Sequence, residues 1–502
     1  MTERDTSQRK SSLDVSPEAF AQISSGAVSL VQEYFAHIAE RPVRAPNHAG
    51  KTLAQIETEL GNEGVPLEKL FDECRTVLDL SRHNGHPRFF GYVASPATPI
   101  GAFSDLIASA LNANITCWRS GPAGTEIERM VVQWLGSLIR YDDNAQGLLT
   151  SGGSMANMIA LLIAARRTTG VSTASTGLWQ SGPPLTIYAS SEIHMSIPKA
   201  ADILGLGRDH VRTVECDAEL RLDPAHLRQL IEQDLRDGFR PSCVVASAGT
   251  VATGIVDPLT EIADIAREFK LWFHVDGAYG APGVLDPGKK DLFAGLERAD
   301  SVSLDPHKWL YVPVDAGCLL FRDEAAARAA FSTDDADYIK VHGHIDDEAF
   351  AFWDYGVELS RRFRALKVWL TLRYYGRRRI AAAISDDIAL AHYLTEIVAA
   401  ADDLELLAPA ELSICCFRYV PPHLKTQLAG DTDLTALNKH LDQLNEHIMS
   451  LVQTGGLAYL SNANVKGRFA LRVCITNFRT TKEDIERTVE IVREAGRKLS
   501  SE

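Results

Sequence analysis

Leu271-Trp-Phe-His-Val-Asp-Gly-Ala-Tyr-Gly280 and Ala299-Asp-Ser-Val-Ser-Leu-Asp-Pro-His-Lys-Trp309 decide how this chain is read. Each holds a short strand-like run, Leu271–Val275 and Ser301–Leu304, bounded by turn-forming residues. Each then delivers a reactive side chain just past the run: Asp276 in the first, Lys308 in the second. Further runs of the same kind lie at Gln146–Thr150, Leu185–Ala189, Val211–Glu215, Cys243–Ser247 and Gly317–Phe321. The stretches between them are long enough for crossover helices. A mainly parallel sheet with both faces covered is therefore expected from about Gly101 to Arg322. Such sheets gather ligands at the carboxyl ends of their strands, and Gly, Ser, Thr and Asp cluster there in this chain.

Composition sets the class. The 502 residues are 45% hydrophobic and 23% charged, which supplies ample core and argues against disorder as the main state. The net charge of −15 would be repelled by phosphate backbones and anionic lipid, and no basic stripe offsets it. Neither a nucleic acid nor a membrane is expected as a partner. The longest apolar runs, such as Met158 to Ala165, are too short to cross a bilayer, and Met1 to Asp14 lacks the apolar stretch of a signal peptide. Eight cysteines are scattered without a C-x-x-C pair, and the adjacent Cys415 and Cys416 would point to opposite faces of a strand. Reduced thiols in a cytoplasmic protein are expected.

Two constellations carry chemistry. Thr150-Ser-Gly-Gly-Ser-Met-Ala-Asn157 follows a strand and opens a helix. Glycines there let backbone N–H groups approach an anion at the positive end of the helix, so a phosphate cradle is the natural reading. A plain helix cap by Ser151 or Ser154 is its rival; a serine-hydrolase elbow is not, because position 156 is Ala. Asp276 alone could be a helix cap or a metal ligand. With Lys308 on a neighbouring strand end, the pair suits a pyridine-type aldehyde cofactor: the amine condenses with the aldehyde and the carboxylate keeps the ring nitrogen protonated.

The D-x-A-Y and D-P-H-K-W pair resembles the group II pyridoxal-phosphate decarboxylases, which include the aromatic-L-amino-acid, histidine and glutamate enzymes. The resemblance runs from about Pro17 to the C-terminal helix. It implies the aspartate-aminotransferase-like α/β fold (fold type I), with a mainly parallel large-domain sheet and a small α+β C-terminal domain. It implies pyridoxal 5'-phosphate as cofactor, an amino acid as substrate and a homodimer with active sites at its interface. The expected reaction is decarboxylation of an L-amino acid, with aromatic side chains first. Acidic or diamino acids, aldehyde-synthase or aminotransferase chemistry, and a non-catalytic binding role stay open.

Residue by residue, the resemblance assigns Lys308 to the aldehyde, Asp276 to the ring nitrogen, His194 to the ring face, and Gly153 and Ser154 to the phosphate. Ala278, Asp305, His307 and Thr250 would complete the cofactor shell. Met155 stands where the family usually has Glu, and Val251 where it has a second Thr, which makes Thr250 the weaker carry-over. Tyr338 resembles the tyrosine of the family's mobile catalytic loop, which protonates Cα after CO2 leaves; phenylalanine stands there in the aldehyde synthases. Tyr92, in His86-Pro-Arg-Phe-Phe-Gly-Tyr92, and Ser95 would line the substrate pocket. Arg472 matches an arginine that holds the substrate α-carboxylate in the glutamate branch, and on pattern alone it is equally a solvent-facing strand residue.

The expected organisation is a solvated tail over 1–14, a helical dimerisation segment over 15–95, a large cofactor-binding domain over 96–385 and a small domain over 386–502. Helices are expected at Phe20–Ile38, Thr52–Leu60, Pro66–Leu80, Asp354–Leu372 and Ile380–Ala401. The small domain should run strand (Glu411–Tyr419), helix (Leu434–Thr454), strands (Leu457–Ser461, Arg468–Ile475) and helix (Thr481–Leu499). Acidic Ser332 to Glu348 reads as a mobile surface loop. His342, His344 and Asp346 within it lack a fourth partner, so no metal site is expected.

Overall fold

The computed structural model describes residues 13–45, 52, 54–56, 60, 62–170, 173–178, 182–331, 350–430 and 434–500. Helix α1 (Pro17–Ala36) starts at Ser16, whose hydroxyl accepts from the Ala19 N–H at 3.2 Å, with proline in its first turn. Neither α1 nor α2 (Leu67–Leu80) contains a buried residue, although both carry apolar stripes. The helix expected over 52–60 lies largely outside the described residues.

Helices α3 (Pro99–Leu111) and α4 (Pro122–Leu138) lead into a seven-stranded sheet: β1 (Gln146–Thr150), β2 (Leu185–Ser190), β3 (Val211–Val214), β4 (Arg240–Ser247), β5 (Trp272–Asp276), β6 (Ser301–Leu304) and β7 (Gly317–Phe321). Their order is β1-β7-β6-β5-β4-β2-β3. Only β7 runs antiparallel, against β1 and β6; the other pairs are parallel. Crossovers include α5 (Gly153–Thr169), α6 (Ser196–Ile203), α7 (Pro224–Arg236) and α8 (Leu259–Phe269). Every residue of β5, β6 and β7 is buried, which is why β7 reads as a continuous apolar run; β6 alternates serine with apolar residues although both of its faces are covered. Register sets Ser247 beside Asp276 and Asp276 beside Ser303, one row at the carboxyl edge of three adjacent strands.

After α9 (Glu324–Phe331), α10 (Arg364–Ala400) replaces the two expected helices. They join end to end across Gly376, whose φ of 69° breaks the helical path, and the first starts ten residues later than expected because 352–354 form only a 3-10 turn. The smaller antiparallel sheet has the order β10 (Ser461–Val465), β11 (Arg468–Cys474), β9 (Ile414–Tyr419), β8 (Leu404–Leu406), with α11 (Pro422–Gly430), α12 (Thr435–Gly455) and α13 (Lys482–Ser500). Residues of α10 through Ile388 pack into the large core and those from Leu390 into the small one. Cys416 faces the first core and Cys415 the second.

The strand expected at Leu457–Ser461 begins only at Ser461. Its place is taken by a pairing with the N-terminal segment: Phe90 N–H donates to the Tyr459 carbonyl at 2.8 Å and Tyr459 N–H to the Arg88 carbonyl at 3.0 Å. That tie leads the chain toward Tyr92 and the end of the large sheet.

Candidate active site

A cavity of about 610 Å³ opens at the carboxyl edge of β4, β5 and β6. Asp276, the last residue of β5, is 7% exposed. Its Oδ2 accepts from Asn157 Nδ2 at 2.8 Å, and its Oδ1 from the Ser303 hydroxyl at 3.1 Å and the Ala278 N–H at 3.2 Å. Lys308 follows β6, and its Nζ lies 2.9 Å from Asp305 Oδ2. Burial works against the Lys308 ammonium, but the facing Asp305 carboxylate, with Asp276 behind it, outweighs this and holds its pKa above the ordinary value. Asp305 is almost fully buried, and its Oδ1 has no hydrogen-bond partner among the described residues.

His194 lies on the loop between β2 and α6 and lines the same cavity. Its Nδ1 accepts from the Ser196 N–H at 3.2 Å, with the Ser196 hydroxyl at 2.8 Å. A backbone N–H can only donate, so the neutral ring carries its proton on Nε2. Burial also lowers the His194 pKa, against the pull of Asp276.

The glycine-rich turn does what its composition requires. Helix α5 begins at Gly153 with no side chain capping it, and the Gly153 and Ser154 N–H groups have no acceptor among the described residues, at the cavity wall formed by Ser151, Gly152, Gly153 and Ser154. A Cβ on Gly153 would lie 2.9 Å from the Ala278 Cβ and 3.0 Å from Asp305 Oδ2. His307 completes this side, its Nδ1 bound to the Ala316 backbone at 2.8 Å.

Arg472 is not solvent-facing. It is 3% exposed, with Nε on the Ala252 carbonyl at 3.1 Å and Nη1 on the Tyr92 carbonyl at 2.7 Å and the Ser461 hydroxyl at 3.1 Å. Its Nη2 is buried and has no partner among the described residues, and the residue lines the cavity. Tyr92 lines the mouth in the left-handed region, φ 59°, its hydroxyl 3.2 Å from that of Tyr459 and its ring beneath the Arg82 guanidinium at 5.0 Å.

Two carried-over residues sit elsewhere. Ser95 does not line the cavity; its hydroxyl donates to the His307 and Lys308 carbonyls, so it fixes the lysine's backbone. The Thr250 hydroxyl also points away from the cavity. It accepts from the Ile255 N–H at 3.2 Å and meets the Thr253 hydroxyl at 3.0 Å, closing its own turn. Tyr338 and the whole 332–349 segment lie outside the described residues.

The pyridoxal-dependent decarboxylase conserved domain matches residues 49–420 of the chain. This chain belongs to that family. An aromatic-L-amino-acid decarboxylase from Bacillus atrophaeus is 34% identical over 481 residues, covering 94% of each chain. Among solved structures, mouse CSAD superposes with a TM-score of 0.89 at 27% identity, covering 96% of this chain and 99% of that one. The Oryza sativa TDC structure with PLP and tryptamine gives 0.88 at 27% identity, covering 98% and 100%. The pyridoxal-dependent decarboxylase family thus accounts for the fold, which is fold type I, and for a pyridoxal-phosphate-dependent amino acid decarboxylase activity.

The residues present fit that cofactor. A buried, hydrogen-bonded carboxylate, a lysine amine, an imidazole and an uncapped helix start converge on one cavity whose glycine wall a single methyl group would invade. Some contributors escaped the sequence reading. Asn157 stands four residues after Gly153, on the same face of α5, a spacing that would have found it. Ser303 shares its strand face with Ser301 and stands directly beside Asp276. Ser461, Asn462 and Ala463 come from the small domain, and no local pattern announces them.

Proposed function

We propose that this enzyme decarboxylates an aromatic L-amino acid to the amine and CO2. The observation that carries this reading is the buried guanidinium of Arg472, a residue that lines the cavity and keeps one nitrogen without a partner among the described residues. Among the described lining residues the only other Lys or Arg is Lys308, which is paired to Asp305. One free cationic donor suits one carboxylate, and the α-carboxylate is the one every amino acid brings. A side-chain carboxylate would then find no second cation, whereas Val93, Val251, Ala252 and Ala463 offer a ring an apolar wall.

Pyridoxal phosphate, when bound, supplies an aldehyde for amines and a protonated ring that takes up an electron pair. Lys308 provides the amine that holds the aldehyde, and Asp276 keeps the proton on the ring nitrogen. Gly153, Ser154, His307 and the free N–H groups of α5 hold the phosphate, and Ala278 and Asp305 close the floor. His194 would cover the ring. Arg472 would orient the carboxylate that leaves, beside Tyr92. Tyr338 delivers the proton to Cα, so the amine and not the aldehyde is the product. Exposed Phe20, Ile23, Leu70 and Val77 on α1 and α2 support a homodimer, and eight free cysteines accord with a cytoplasmic location.

A second reading, an acidic substrate, rests on the same Arg472 if it binds a side-chain carboxylate. Holoenzyme incubated with a panel of L-amino acids, with CO2, amine, aldehyde and peroxide assayed together, separates the two. Equal CO2 and amine from an aromatic acid is expected. CO2 from aspartate or glutamate alone would select the second reading. Aldehyde with peroxide would remove the role given to Tyr338, and no CO2 from any acid would overturn the proposal.

A further inference from the structure

Asp387 is a carboxylate that the chemistry above does not use. It lies on α10, between Ile388 and Ile384 of the large core and close before Leu390 of the small one, and is 1% exposed. Among the described residues no lysine or arginine forms an ion pair with it, and none is among the largest influences on its pKa. Its Oδ2 accepts from Trp309 Nε1 at 2.9 Å and from the Tyr311 hydroxyl at 2.8 Å, and the Asn477 backbone lies close enough to lower its pKa. Burying a carboxylate with only neutral donors is costly, and burial indeed raises its pKa to about 7 although all three groups pull it down.

Those donors are informative. Trp309 and Tyr311 belong to the turn that carries Lys308, whose backbone is pinned by its own N–H to the Asp305 carbonyl at 2.9 Å and by Tyr311 N–H to its carbonyl at 3.3 Å. Tyr311 has φ 57°, a left-handed conformation that disfavours a bulky residue, so local preference would not keep the turn in this shape. Trp309 is fully buried and stacks on the cavity residue Tyr279 at 5.2 Å. Asn477, in turn, follows β11, and its side chain donates to the His86 carbonyl at 2.8 Å, at the head of the segment that leads to Tyr92. One carboxylate thus ties the lysine turn to the large helix, beside the small domain.

We propose that Asp387 is a positioning residue for Lys308: by accepting from Trp309 and Tyr311 it fixes the strained turn against α10 and so sets where the amine stands in the cavity. This rests on the reading of Lys308 as the cofactor lysine.

The test uses holoenzyme with Asp387→Asn, Tyr311→Phe and Trp309→Phe, and Lys308→Ala as control. Visible absorbance of bound cofactor against pH, cofactor affinity, melting temperature, kcat and KM are measured. In Asp387→Asn, kcat should fall about tenfold or more with KM little changed. The midpoint of the absorbance titration should move by about half a unit or more, because the lysine's surroundings change. Tyr311→Phe should move both in the same direction by less. Unchanged kcat and midpoint in Asp387→Asn and Tyr311→Phe, with only a lower melting temperature, would overturn the proposal. If Asp387→Asn does not fold, the two donor variants decide by the same criteria. Full activity and unaltered absorbance in Lys308→Ala would instead sink the lysine reading itself, whatever Asp387 does.

Discussion

Asn157 holds Asp276 from behind: its Nδ2 donates to Asp276 Oδ2 at 2.8 Å, while its Oδ1 lies 2.9 Å from His274 Nε2. The bonds beyond it have one consistent direction. Trp272 Nε1 can only donate, and does so to the Ser301 hydroxyl at 2.8 Å; Ser301 then donates to His274 Nδ1 at 2.8 Å, which leaves the His274 proton on Nε2 for Asn157. Burial presses the His274 pKa down to about 4, so the ring stays neutral and the chain keeps this direction.

Asn157→Ala strands Asp276 Oδ2 and His274 Nε2 in the core, at roughly 1–3 kcal/mol for each group left unpaired. A lower melting temperature is expected together with about tenfold weaker cofactor binding, since one carboxylate oxygen would no longer be held in place. Calorimetry and a cofactor fluorescence titration check this. Wild-type affinity in a folded variant would show that the amide is not needed to set the carboxylate.

Gly153→Ala adds a methyl group 2.9 Å from the Ala278 Cβ, closer than two carbons can pack, and 3.0 Å from Asp305 Oδ2. The start of α5 must shift away from the cavity floor. Cofactor affinity should fall by about tenfold or more, while the apoprotein melts close to the wild-type temperature. Retained affinity would argue that the phosphate does not sit on this turn.

Arg472→Lys keeps a positive charge but loses the fork that binds the Ala252 and Tyr92 carbonyls and still leaves a nitrogen free. KM for the amino acid should rise about tenfold, equivalent to roughly 1.4 kcal/mol, with cofactor affinity nearly unchanged. A rise in cofactor dissociation with an unchanged KM would move Arg472 from the substrate to the fold.

His86 is fully buried, its Nδ1 accepting from the Arg88 N–H at 3.0 Å. Burial, then the Arg88 charge, push its pKa down from 6.5 to about 4. The unfolded chain therefore takes up a proton below about pH 6.5 that the folded chain refuses until about pH 4, and stability is lost as pH falls through that window. His86→Gln cannot protonate, yet its amide oxygen can accept from Arg88. Its melting temperature should drop less than that of the wild type between about pH 7 and about pH 5. Equal drops would assign the acid sensitivity to other groups.

Much of this protein was legible before folding was considered. Strands β1, β6 and β7 coincide with their expected ranges, because short runs with apolar residues between turn-forming residues leave a local signature that needs no knowledge of their partners. Lys308, Asp276, Gly153 and Ser154 were legible for a related reason, since each stands where a strand stops or a helix starts; His194 was reached only through the family resemblance. Ser95 and Thr250 show the limit. Their positions were right for the neighbourhood, but a side chain's direction depends on which backbone carbonyls or amides come within reach.

Residue order by itself determined the parallel sheet, the anion-ready start of α5 and the lysine–aspartate pair, since periodicity, glycine placement and strand ends are local properties of the chain. Only the tertiary structure decided that Arg472 is buried with one nitrogen unpaired, that Tyr459 pairs with the 88–90 segment instead of extending β10, and that Asp387 clasps the Lys308 turn. These three join segments far apart in sequence. Their contacts arise from two cores packing against each other, and the free energy of a buried polar group is set by the neighbours it meets there.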